Sequence, residues 1–579
     1  MFGWCGKIAE INLSEGEHKT FLPDPEILLK FIGGKGLAGY YLKNHVTLDW
    51  DDPGMPLIFF TGPLVNTRSP TSGRMTVMSR SPLTGTVGDS SAGGSFGTEL
   101  KKAGFDGIII KGKSDRLCGI EIDDGEIIIV PASHMAGMQI GLAGSMLKGK
   151  GSHAVIGPAA ENGVLFSNII IDGHFAAGRN GLGLILASKM IKYITVRGTK
   201  KTKISDPEEL DKARQDIFRL VSASPVLSGN YGISKYGTAA LYDLMDARRM
   251  MPSDNFRKSF FSSARLMNAS SLKKKYRPKD RGCRGCNILC KKISGNGTIM
   301  PEFETLSHFS ALIGNTDIET VVSANTICNE TGMDSISAAA TLSCFSEISG
   351  KRFTPAYILD LLNDMAYKKN EGEKLGKGAA RYARTTGHPE SAMTVKGQEL
   401  PAYDPRGAYG MALSYATSTR GGCHLRAYPV SHEILRKPVA TDRFTFEGKA
   451  RIIKTCEDLN AVVDSLTACK FIFFAASLEE YSRVFHAVTG INYSGQDLIK
   501  TGERIYYNER MMNASNGFSA EDDDLPARFF NSFGYEGKDM TIGPINREDF
   551  LKARINYYKA RGLDENGMPL TETANKLGI

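Results

Sequence analysis

The sequence predicts an α+β fold in which a β-rich amino-terminal region precedes a mainly helical remainder. Three observations support this prediction. Hydrophobic residues in the first ~200 positions alternate with polar ones, as in half-buried strands. Near residue 205 the spacing changes to that of an amphipathic helix. The segment 396–406, which is rich in proline and glycine, then interrupts the helical pattern.

Chain length and composition fit a large globular protein of several domains. The 579 residues are 41% hydrophobic, which is enough to bury a large core. A typical domain of ~150 residues gives about three or four domains. The changes in pattern place the boundaries near 200 and 400, and we therefore expect domains at 1–200, 201–400 and 401–579.

The clearest strand pair in the first region lies at 120–129. Ile120 and Ile122 alternate with polar residues before Asp124-Gly125, and Ile127 and Ile129 continue the same spacing after it. This dipeptide favours a tight hairpin turn. We therefore expect an antiparallel hairpin here.

The first helix of the second region begins at 206–209. Asp206 is suited to cap it, Pro207 to occupy its first position, and Glu209 to close a capping box. One helical face is apolar, and we expect it to be buried. That face comprises Leu210, Ala213, Ile217 and Leu220.

Charge and cysteine usage exclude several classes of protein. The net charge of +8 is small against 71 basic and 63 acidic residues and comes with no long basic run, so nucleic-acid binding has little support. The excess could instead offset buried anionic cofactors. The ten cysteines show no disulfide framework, and neither a signal peptide nor a membrane span is present. These features predict a cytoplasmic protein.

The most informative motif is Cys283-Arg-Gly-Cys286-Asn-Ile-Leu-Cys290. Three thiolates at this spacing can bind one iron–sulfur cluster, which needs a fourth ligand from elsewhere. Arg281 and Arg284 could offset the negative charge of such a cluster. A structural zinc site and three unrelated core thiols are the alternatives that this spacing leaves open.

The glycine-rich segments do not match a nucleotide-binding motif. Neither GxGxxG before a helix nor GxxxxGK[ST] occurs. The segments 71–74, 81–85 and 90–94 could present backbone N–H groups to phosphate oxygens. Ordinary turn glycines are the alternative.

Eight motifs in order make the chain resemble the aldehyde:ferredoxin oxidoreductase family of tungstopterin enzymes along nearly its whole length. They are Thr61-Gly-Pro-Leu64, Pro70-Thr-Ser-Gly-Arg74, Ser81-Pro-Leu-Thr-Gly85, Glu99-Leu-Lys-Lys-Ala-Gly104, Ala177-Gly-Arg-Asn-Gly181, Pro301-Glu-Phe-Glu-Thr305, Tyr403-Asp-Pro-Arg406 and Arg420-Gly-Gly-Cys-His424. The resemblance implies a β-rich base that carries two pyranopterin dithiolenes and two helical domains that cover them. It also implies tungsten, with molybdenum as the alternative metal, one [4Fe–4S] cluster, and Mg²⁺ between the pterin phosphates.

The resemblance also assigns residues to the cofactors. Cys469 becomes the fourth cluster ligand, and Arg74 bridges pterin and cluster. The other cofactor-binding residues implied are Ser91, Gly93, Ala177, Gly178, Arg179, Asn329, Asp334, Asp464, Ala468 and Lys470.

Three positions depart from the family pattern. Asn329 replaces an aspartate, Thr467 a glycine and Ser91 an asparagine. The first change keeps an acceptor oxygen but loses a charge. Asp334 could alternatively serve only as a helix cap.

Glu304 and His424 occupy the positions of the family's carboxylate and histidine beside the metal. Both suit proton transfer, and burial would raise the pKa of the glutamate. Glu302 is the alternative carboxylate, and His308, one turn later, is expected to line the pocket. The six other cysteines, Cys423 among them, are interpreted as packing residues.

The implied activity is oxidation of an aldehyde to a carboxylic acid. Because the grouped cysteines suffice for one cluster only, electrons would pass to ferredoxin or to a ferredoxin-like small subunit. A homodimer or a larger redox complex is compatible with this reading. The alternatives are a low-potential reductase of the same family that acts on an aromatic acyl-CoA, and a non-catalytic iron–sulfur scaffold. The presence of both Glu304 and His424 weighs against the scaffold.

Overall fold

The computed structural model describes residues 1–579. The strands are β1 Ile8–Asn12, β2 Glu17–Phe21, β3 Leu57–Phe60, β4 Met75–Arg80, β5 Val87–Ala92, β6 Gly107–Lys111, β7 Cys118–Asp123, β8 Glu126–Pro131, β9 Ser152–Val155, β10 Ile169–Ile171, β11 Phe175–Ala177, β12 Ile191–Arg197, β13 Lys279–Arg281, β14 Lys291–Ile293, β15 Thr394–Val395, β16 Gln398–Glu399, β17 Tyr535–Glu536 and β18 Thr541–Ile542.

Helices are few before residue 200 and dominate after it. They are α1 Pro25–Phe31, α2 Gly34–Leu42, α3 Phe96–Ala103, α4 Ile140–Met146, α5 Pro158–Glu161, α6 Leu182–Ser188, α7 Pro207–Ala223, α8 Pro225–Ser228, α9 Ile233–Tyr236, α10 Leu241–Ala247, α11 Ala264–Met267, α12 Ala269–Tyr276, α13 Phe303–Ser307, α14 Ile318–Thr331, α15 Ser335–Ser349, α16 Pro355–Ala366, α17 Gly372–Leu375, α18 Ala379–Thr385, α19 Tyr409–Thr417, α20 Val430–Glu433, α21 Lys449–Leu466, α22 Leu478–Thr489, α23 Gly495–Ser515, α24 Arg528–Asn531, α25 Arg547–Arg561 and α26 Thr571–Leu577. The predicted α+β class is confirmed.

The amino-terminal region forms two six-stranded sheets. The strand orders are β2-β1-β6-β3-β4-β5 and β11-β10-β9-β12-β7-β8. Each sheet is antiparallel except at one parallel pair, β1–β6 in the first and β12–β7 in the second. The predicted hairpin is β7–β8, in which Ile122 faces Ile127 and both turn residues, Asp124 and Gly125, have positive φ.

The central strands of the first sheet, β3, β4 and β6, are buried on both faces. Leu57 and Phe59 of β3 join a core of 30 buried residues that also contains side chains of the second sheet. Ile58 and Phe60 point the other way, into a core of 40 residues shared with α2, α21, α22 and α23. This sheet is therefore a platform with the second sheet beneath it and helices above.

Helix α7 begins as predicted, but two details of the prediction are wrong. The Asp206 carboxylate accepts a hydrogen bond from the Glu209 N–H, whereas the Glu209 carboxylate pairs with Arg483 instead of closing a capping box. Val221, not Leu220, completes the buried face. Leu220 is 37% exposed. The reason is that α22 packs against a face of α7 that is slightly rotated from the predicted one.

The helical remainder is interrupted at the predicted place by the hairpin of β15 and β16. The largest core, of 69 buried residues, draws side chains from both sides of residue 400. The domain boundary near 400 stays a prediction. None of the helices is long and apolar enough to cross a membrane.

Candidate functional site

The three clustered cysteines lie in a loop held at its base by β13 and β14. Lys292 fixes this loop from within, because its ammonium donates to the Leu289 carbonyl at 2.9 Å and pairs with Asp280 at 2.8 Å. Cys283, Cys286 and Cys290 are all half-buried. The strand pair thus presents the thiols on one short, anchored segment.

Cys469 lies beside Cys283 and Cys286, although it is more than 170 residues further along the chain. Its backbone N–H donates to the Thr71 carbonyl at 3.1 Å. Burial raises the pKa of Cys469 to about 11; Arg74 opposes this rise, and Cys286 and Cys283 add to it. The structure therefore brings the predicted fourth thiol beside the other three.

Gly93 lets the cysteine loop approach the first sheet. A Cβ atom at Gly93 would lie 2.5 Å from the sulfur of Cys283. One at Gly73 would lie 3.0 Å from the Arg284 carbonyl. The structure thus places Gly93, expected near a phosphate, against the thiol of Cys283.

Arg74 lies between the thiols and β5. Its Nε donates to the Ser91 hydroxyl at 2.8 Å and its Nη2 to the Ser91 carbonyl at 2.6 Å. Burial lowers the pKa of an arginine, yet the thiols of Cys469 and Cys283 outweigh that effect and raise the pKa of Arg74. Arg74 is a fixed cation beside a group of potential thiolates.

The four thiols are suited to an iron–sulfur cluster. They lie around Arg74 and near one another, although no three of them are close enough together to hold a single metal ion. Four thiols grouped around one arginine are the ligand type of an iron–sulfur centre.

Glu304 on α13 and His424 face each other inside the protein. The His424 Nε2 lies 3.5 Å from the Glu304 Oε1, and their side chains are 11% and 16% exposed. The other carboxylate oxygen of Glu304 accepts the Ala402 N–H at 2.7 Å. The Glu304 Oε1 and the His424 Nδ1 have no hydrogen-bond partner although both are buried. Such atoms normally mark a position that a ligand or water completes.

The two groups have opposite pKa shifts with one main cause. Burial raises the pKa of Glu304 to about 8 and holds that of His424 well below its usual range, in the latter case helped by the nearby Arg179. Both groups are therefore neutral near pH 7. Tyr403 and Tyr428 form an aromatic wall, with ring centroids 5.5 and 6.1 Å from that of His424.

The two neighbouring candidates have other partners. His308 begins a π-helical turn after α13, shares a face with Glu304 as expected, and has its ring nitrogens 2.9 Å from the Glu304 carbonyl and 3.1 Å from that of Leu400. Glu302 instead pairs with Lys291 beside Cys290. The alternative carboxylate thus faces the cysteine loop and not the histidine.

The last residues of α21 and the loop that follows, 464–470, connect the cysteine group to the interior. Asp464 pairs with Lys470 at 2.7 Å, while its second oxygen is buried without a partner. Ala468 is buried at the helix end and donates its N–H to Val463. The segment packs backbone to backbone on the first sheet, because a Cβ at Gly62 would lie 2.5 Å from the Ser465 carbonyl.

Thr467 ends α21 in the left-handed region at φ 56°, where the family pattern has glycine. A β-branched residue is strained there. Its hydroxyl accepts the Gly62 N–H at 3.0 Å, a bond that glycine could not make. The hydroxyl explains how this chain tolerates the departure.

Arg179 connects the amino-terminal β-rich region to the helical region through an ion pair and hydrogen bonds. It follows Ala177 and Gly178 at the end of β11 and pairs with Asp334 at 3.0 Å. It also donates to the carbonyls of Gly422 and Glu399, at 2.9 and 2.7 Å.

The two predicted residues of the first pterin loop differ in how they are held. Asp334 caps α15, which was the alternative role predicted for it from the sequence. It also forms an ion pair with Arg179. Asn329 is half-buried near the end of α14, and its side chain forms no hydrogen bond within the protein.

A buried charged group that the sequence analysis missed lies between these two regions. Lys35 contacts Asp89 and Glu509, and Arg426 pairs with Asp89. Arg420 donates to the Asp89 carbonyl. These five side chains are at most 5% exposed. The only local feature at these positions was a lysine flanked by glycines, Gly33-Gly-Lys-Gly36, which does not by itself predict a buried ion pair.

Cys423 differs from a packing cysteine. Its sulfur accepts hydrogen bonds from Arg420 at 3.2 and 3.0 Å and from the Leu425 N–H at 3.3 Å. Burial raises the pKa of a thiol, but Arg420 and Arg426 outweigh it and lower the pKa of Cys423 to about 7. The packing interpretation is therefore incomplete for this residue.

Comparison with known proteins identifies the family. The family model for the aldehyde ferredoxin oxidoreductase N-terminal domain matches residues 8–198, and the model for its domains 2 and 3 matches residues 212–579. This chain belongs to the aldehyde ferredoxin oxidoreductase family. It is therefore an oxidoreductase, as the sequence predicts.

Relatives within the aldehyde ferredoxin oxidoreductase family match from end to end. The tungsten-containing aldehyde ferredoxin oxidoreductases of Thermococcus kodakarensis and Pyrococcus furiosus are each 36% identical, with 100% of this chain and 99% of the relative covered. The WOR-like subunit of an aliphatic sulfonate oxidoreductase from Pyrococcus furiosus is 26% identical, over 100% and 97% of the two chains.

A solved structure confirms the family fold. The BamBC active-site complex of benzoyl coenzyme A reductase, determined with 1,5-dienoyl-CoA, superposes with a TM-score of 0.87. It is 21% identical, and the match covers 100% of this chain and 97% of that one. At this identity the likeness concerns the fold alone.

Proposed function

We propose that this chain oxidises an aldehyde to the carboxylic acid. One aldehyde and one water give one acid, two protons and two electrons, and the electrons leave singly through a [4Fe–4S] cluster. The observation that carries the proposal is the Glu304–His424 pair, buried beside an aromatic wall with one unpartnered polar atom on each residue.

The cofactor in this proposal is tungsten held by two pyranopterins, with molybdenum as the alternative metal. When bound, it would accept the two electrons of the oxidation. The cationic residues Arg179, Arg420, Arg426 and Lys470 would offset the charge of its phosphates and dithiolenes. The unpartnered Asp464 oxygen is an acceptor for a pterin amino group.

Glu304 and His424 would manage the protons. A glutamate with a pKa of about 8 can take a proton from water during attack on the aldehyde carbon and release it afterwards. The neutral His424 can orient the aldehyde oxygen through Nδ1, the ring nitrogen that has no partner within the protein. Tyr403 and Tyr428 would exclude bulk water from this step.

Four thiols would bind the cluster: those of Cys283, Cys286, Cys290 and Cys469. Ligation deprotonates each thiol, so the raised pKa values of the free thiols add to the free energy that binding of the cluster must supply. Mg²⁺ between the pterin phosphates completes the inventory. Ser91 is proposed as one of its ligands, and each of its oxygens accepts only one hydrogen bond from Arg74 and keeps a second lone pair.

The electron acceptor would be ferredoxin or a ferredoxin-like small subunit, met in the cytoplasm. The chain could serve as one half of a homodimer or as the catalytic subunit of a larger redox complex. A separate carrier is needed in this proposal because the sequence has only one set of closely spaced cysteines, Cys283, Cys286 and Cys290.

Aldehyde-dependent reduction of a viologen dye by the purified holoenzyme tests the activity. We expect two dye molecules to be reduced per aldehyde consumed, with the acid as product. A holoenzyme with full metal and pterin content that reduces no dye with a panel of aliphatic and aromatic aldehydes would contradict the proposal.

A reductase acting on an aromatic acyl-CoA is the second candidate, favoured by the fold shared with BamBC. It would oxidise pre-reduced viologen when benzoyl-CoA is added, without responding to aldehyde. A non-catalytic scaffold would respond to neither substrate. The same dye assay therefore separates all three functions.

A further inference from the structure

The positive charge of this chain is concentrated around the cysteine loop. Residues 273–290 contain seven lysines and arginines and one aspartate, and thus supply six of the eight net positive charges. The last turn of α12 and strand β13 carry most of them. We call this surface, defined by Lys273, Lys274, Lys275, Arg277, Lys279, Arg281 and Arg284, the basic face.

Most cations of the basic face have no anionic partner. Lys274, Arg277, Lys279 and Arg281 are exposed and form no ion pair, and Lys273 contacts only the Lys235 carbonyl and the Tyr236 ring. The carboxylates nearby are already used. They are Asp280 with Lys292, Glu302 with Lys291, Glu99 with Arg284 and Glu319 with Lys275. The free positive charge is therefore available to a partner.

The thiols reach the surface at this face. Cys290 lines a surface cleft together with Lys235, Lys273 and Lys292. Leu289, the neighbour of Cys290, is 36% exposed and is held in the left-handed region at φ 52°. An exposed aliphatic side chain in a segment that also carries unpaired cations can contact a partner of opposite charge.

We propose that the basic face docks a separate acidic iron–sulfur protein, which receives electrons from the cluster held by Cys283, Cys286, Cys290 and Cys469. This rests on the proposed function only in requiring that cluster. Each encounter moves one electron from the reduced cluster to the oxidised carrier, so two encounters follow each two-electron oxidation. The charge guides the encounter, and the loop brings the two centres together.

Charge reversal tests the proposal. The variant Lys274→Glu/Arg277→Glu/Lys279→Glu changes the net charge by −6 without touching a thiol or the Glu304–His424 pair. The matched control reverses Lys377, Lys500 and Lys552, which are exposed, unpaired and carried by other parts of the helical region. Iron content and dye reduction should equal those of the parent in both variants, which shows that each has folded.

The measurement is the rate at which chemically pre-reduced holoenzyme reduces a purified acidic ferredoxin in stopped flow. No aldehyde is present, so failure of the aldehyde assignment would not affect the result. At low salt we expect the basic-face variant to be slower by about 10-fold or more, with little salt dependence left. The control should slow much less and keep its salt dependence.

Three results would overturn the proposal. In the first, both variants slow equally, so that only net charge matters. In the second, the rate to ferredoxin is unchanged in the basic-face variant. In the third, parent protein binds duplex DNA through this face while ferredoxin reduction does not depend on it, which would make the face a nucleic-acid site.

Discussion

Glu304 and His424 each keep one proton-exchanging atom free in an interior where most polar groups are bonded. The Glu304 Oε2 is fixed by the Ala402 N–H, so its other oxygen has one direction in which to act. The tyrosines beside His424 keep the surroundings apolar. Burial thus both shifts the pKa of each side chain and keeps its free atom away from bulk water.

The first prediction concerns these two side chains. Glu304→Gln and His424→Asn should each lower aldehyde turnover by about 100- to 10,000-fold, the usual range for general acid–base help. Metal, pterin and iron contents should stay at parental levels, because neither residue is proposed as a ligand. Steady-state kinetics with metal analysis measures both.

Glu302→Gln is the matched control for that pair. Its carboxylate pairs with Lys291 beside the cysteine loop, so we expect turnover to stay within a few-fold of the parent. Full activity in Glu304→Gln together with its loss in Glu302→Gln would transfer the role to Glu302. Loss of the metal in His424→Asn would make that histidine structural.

The second prediction is a pH dependence. If Glu304 acts as a base, only its ionised form works, so kcat/KM should rise with pH up to an inflection near its pKa of about 8. Glu304→Gln should lose this inflection. A parental profile that is flat between pH 6 and 9, or that falls through pH 8, would contradict the base role.

Thermal unfolding gives an independent measure of the same ionisation. Because burial raises the pKa of Glu304 above its usual 4.5, the neutral carboxyl stabilises the fold fully below that value. This stabilisation is lost as the pH rises through about 8. The permanently neutral Glu304→Gln should therefore gain stability relative to the parent between pH 6 and 9.

At the scale of single elements, the segments between helices and strands do more to assemble the candidate site than the helices and strands themselves. The cysteine loop, the segment 464–470 and the turn after β5 meet because small residues allow their backbones to touch. Periodicity in the sequence predicts α7 and the β7–β8 hairpin well. It could not predict that Val221 replaces Leu220 on the buried face, since the position of α22 decides this.

The third prediction concerns Gly93 after β5. Gly93→Ala would place a methyl group 2.5 Å from the Cys283 sulfur, so the cysteine loop must shift outward. We expect the purified variant to lose iron and visible cluster absorption, while the circular dichroism of the fold is retained. Iron analysis against protein concentration measures the loss.

Gly295→Ala is the control for that substitution. A Cβ atom at Gly295 meets nothing within 4 Å, so it tests the general cost of replacing a glycine in this part of the chain. We expect parental iron content. Equal iron loss in the two variants would show that contact with Cys283 is not the cause.

For the whole molecule, motif order predicted the family and the fold, and it named the cysteines and the Glu304–His424 pair that the structure brings together. It could not predict the charged interior, because Lys35, Asp89, Arg426 and Glu509 lie far apart in the sequence and meet only through α2, β5 and α23. Nor could it show that Cys423 lies between arginines. Long-range contacts of this kind leave no local pattern.

The fourth prediction is the cofactor inventory of the holoenzyme. We expect about four irons, one tungsten or molybdenum and two pterins per chain, since four thiols can hold one cubane. Cys469→Ser should perturb the cluster EPR signal. Zinc in place of iron would contradict the cluster, and an unchanged signal in Cys469→Ser would show that the fourth ligand lies elsewhere.

Backbone contact between the first sheet and the segment 464–470 limits how this protein can move. Where Gly62 meets the Ser465 carbonyl, no side chain separates the two parts, so they cannot swing apart without breaking a packed interface. Enzymes with hinged clefts admit substrate by opening and closing. Here the first sheet and the segment 464–470 move as one unit, so opening and closing between them is not a route to the buried Glu304–His424 pair.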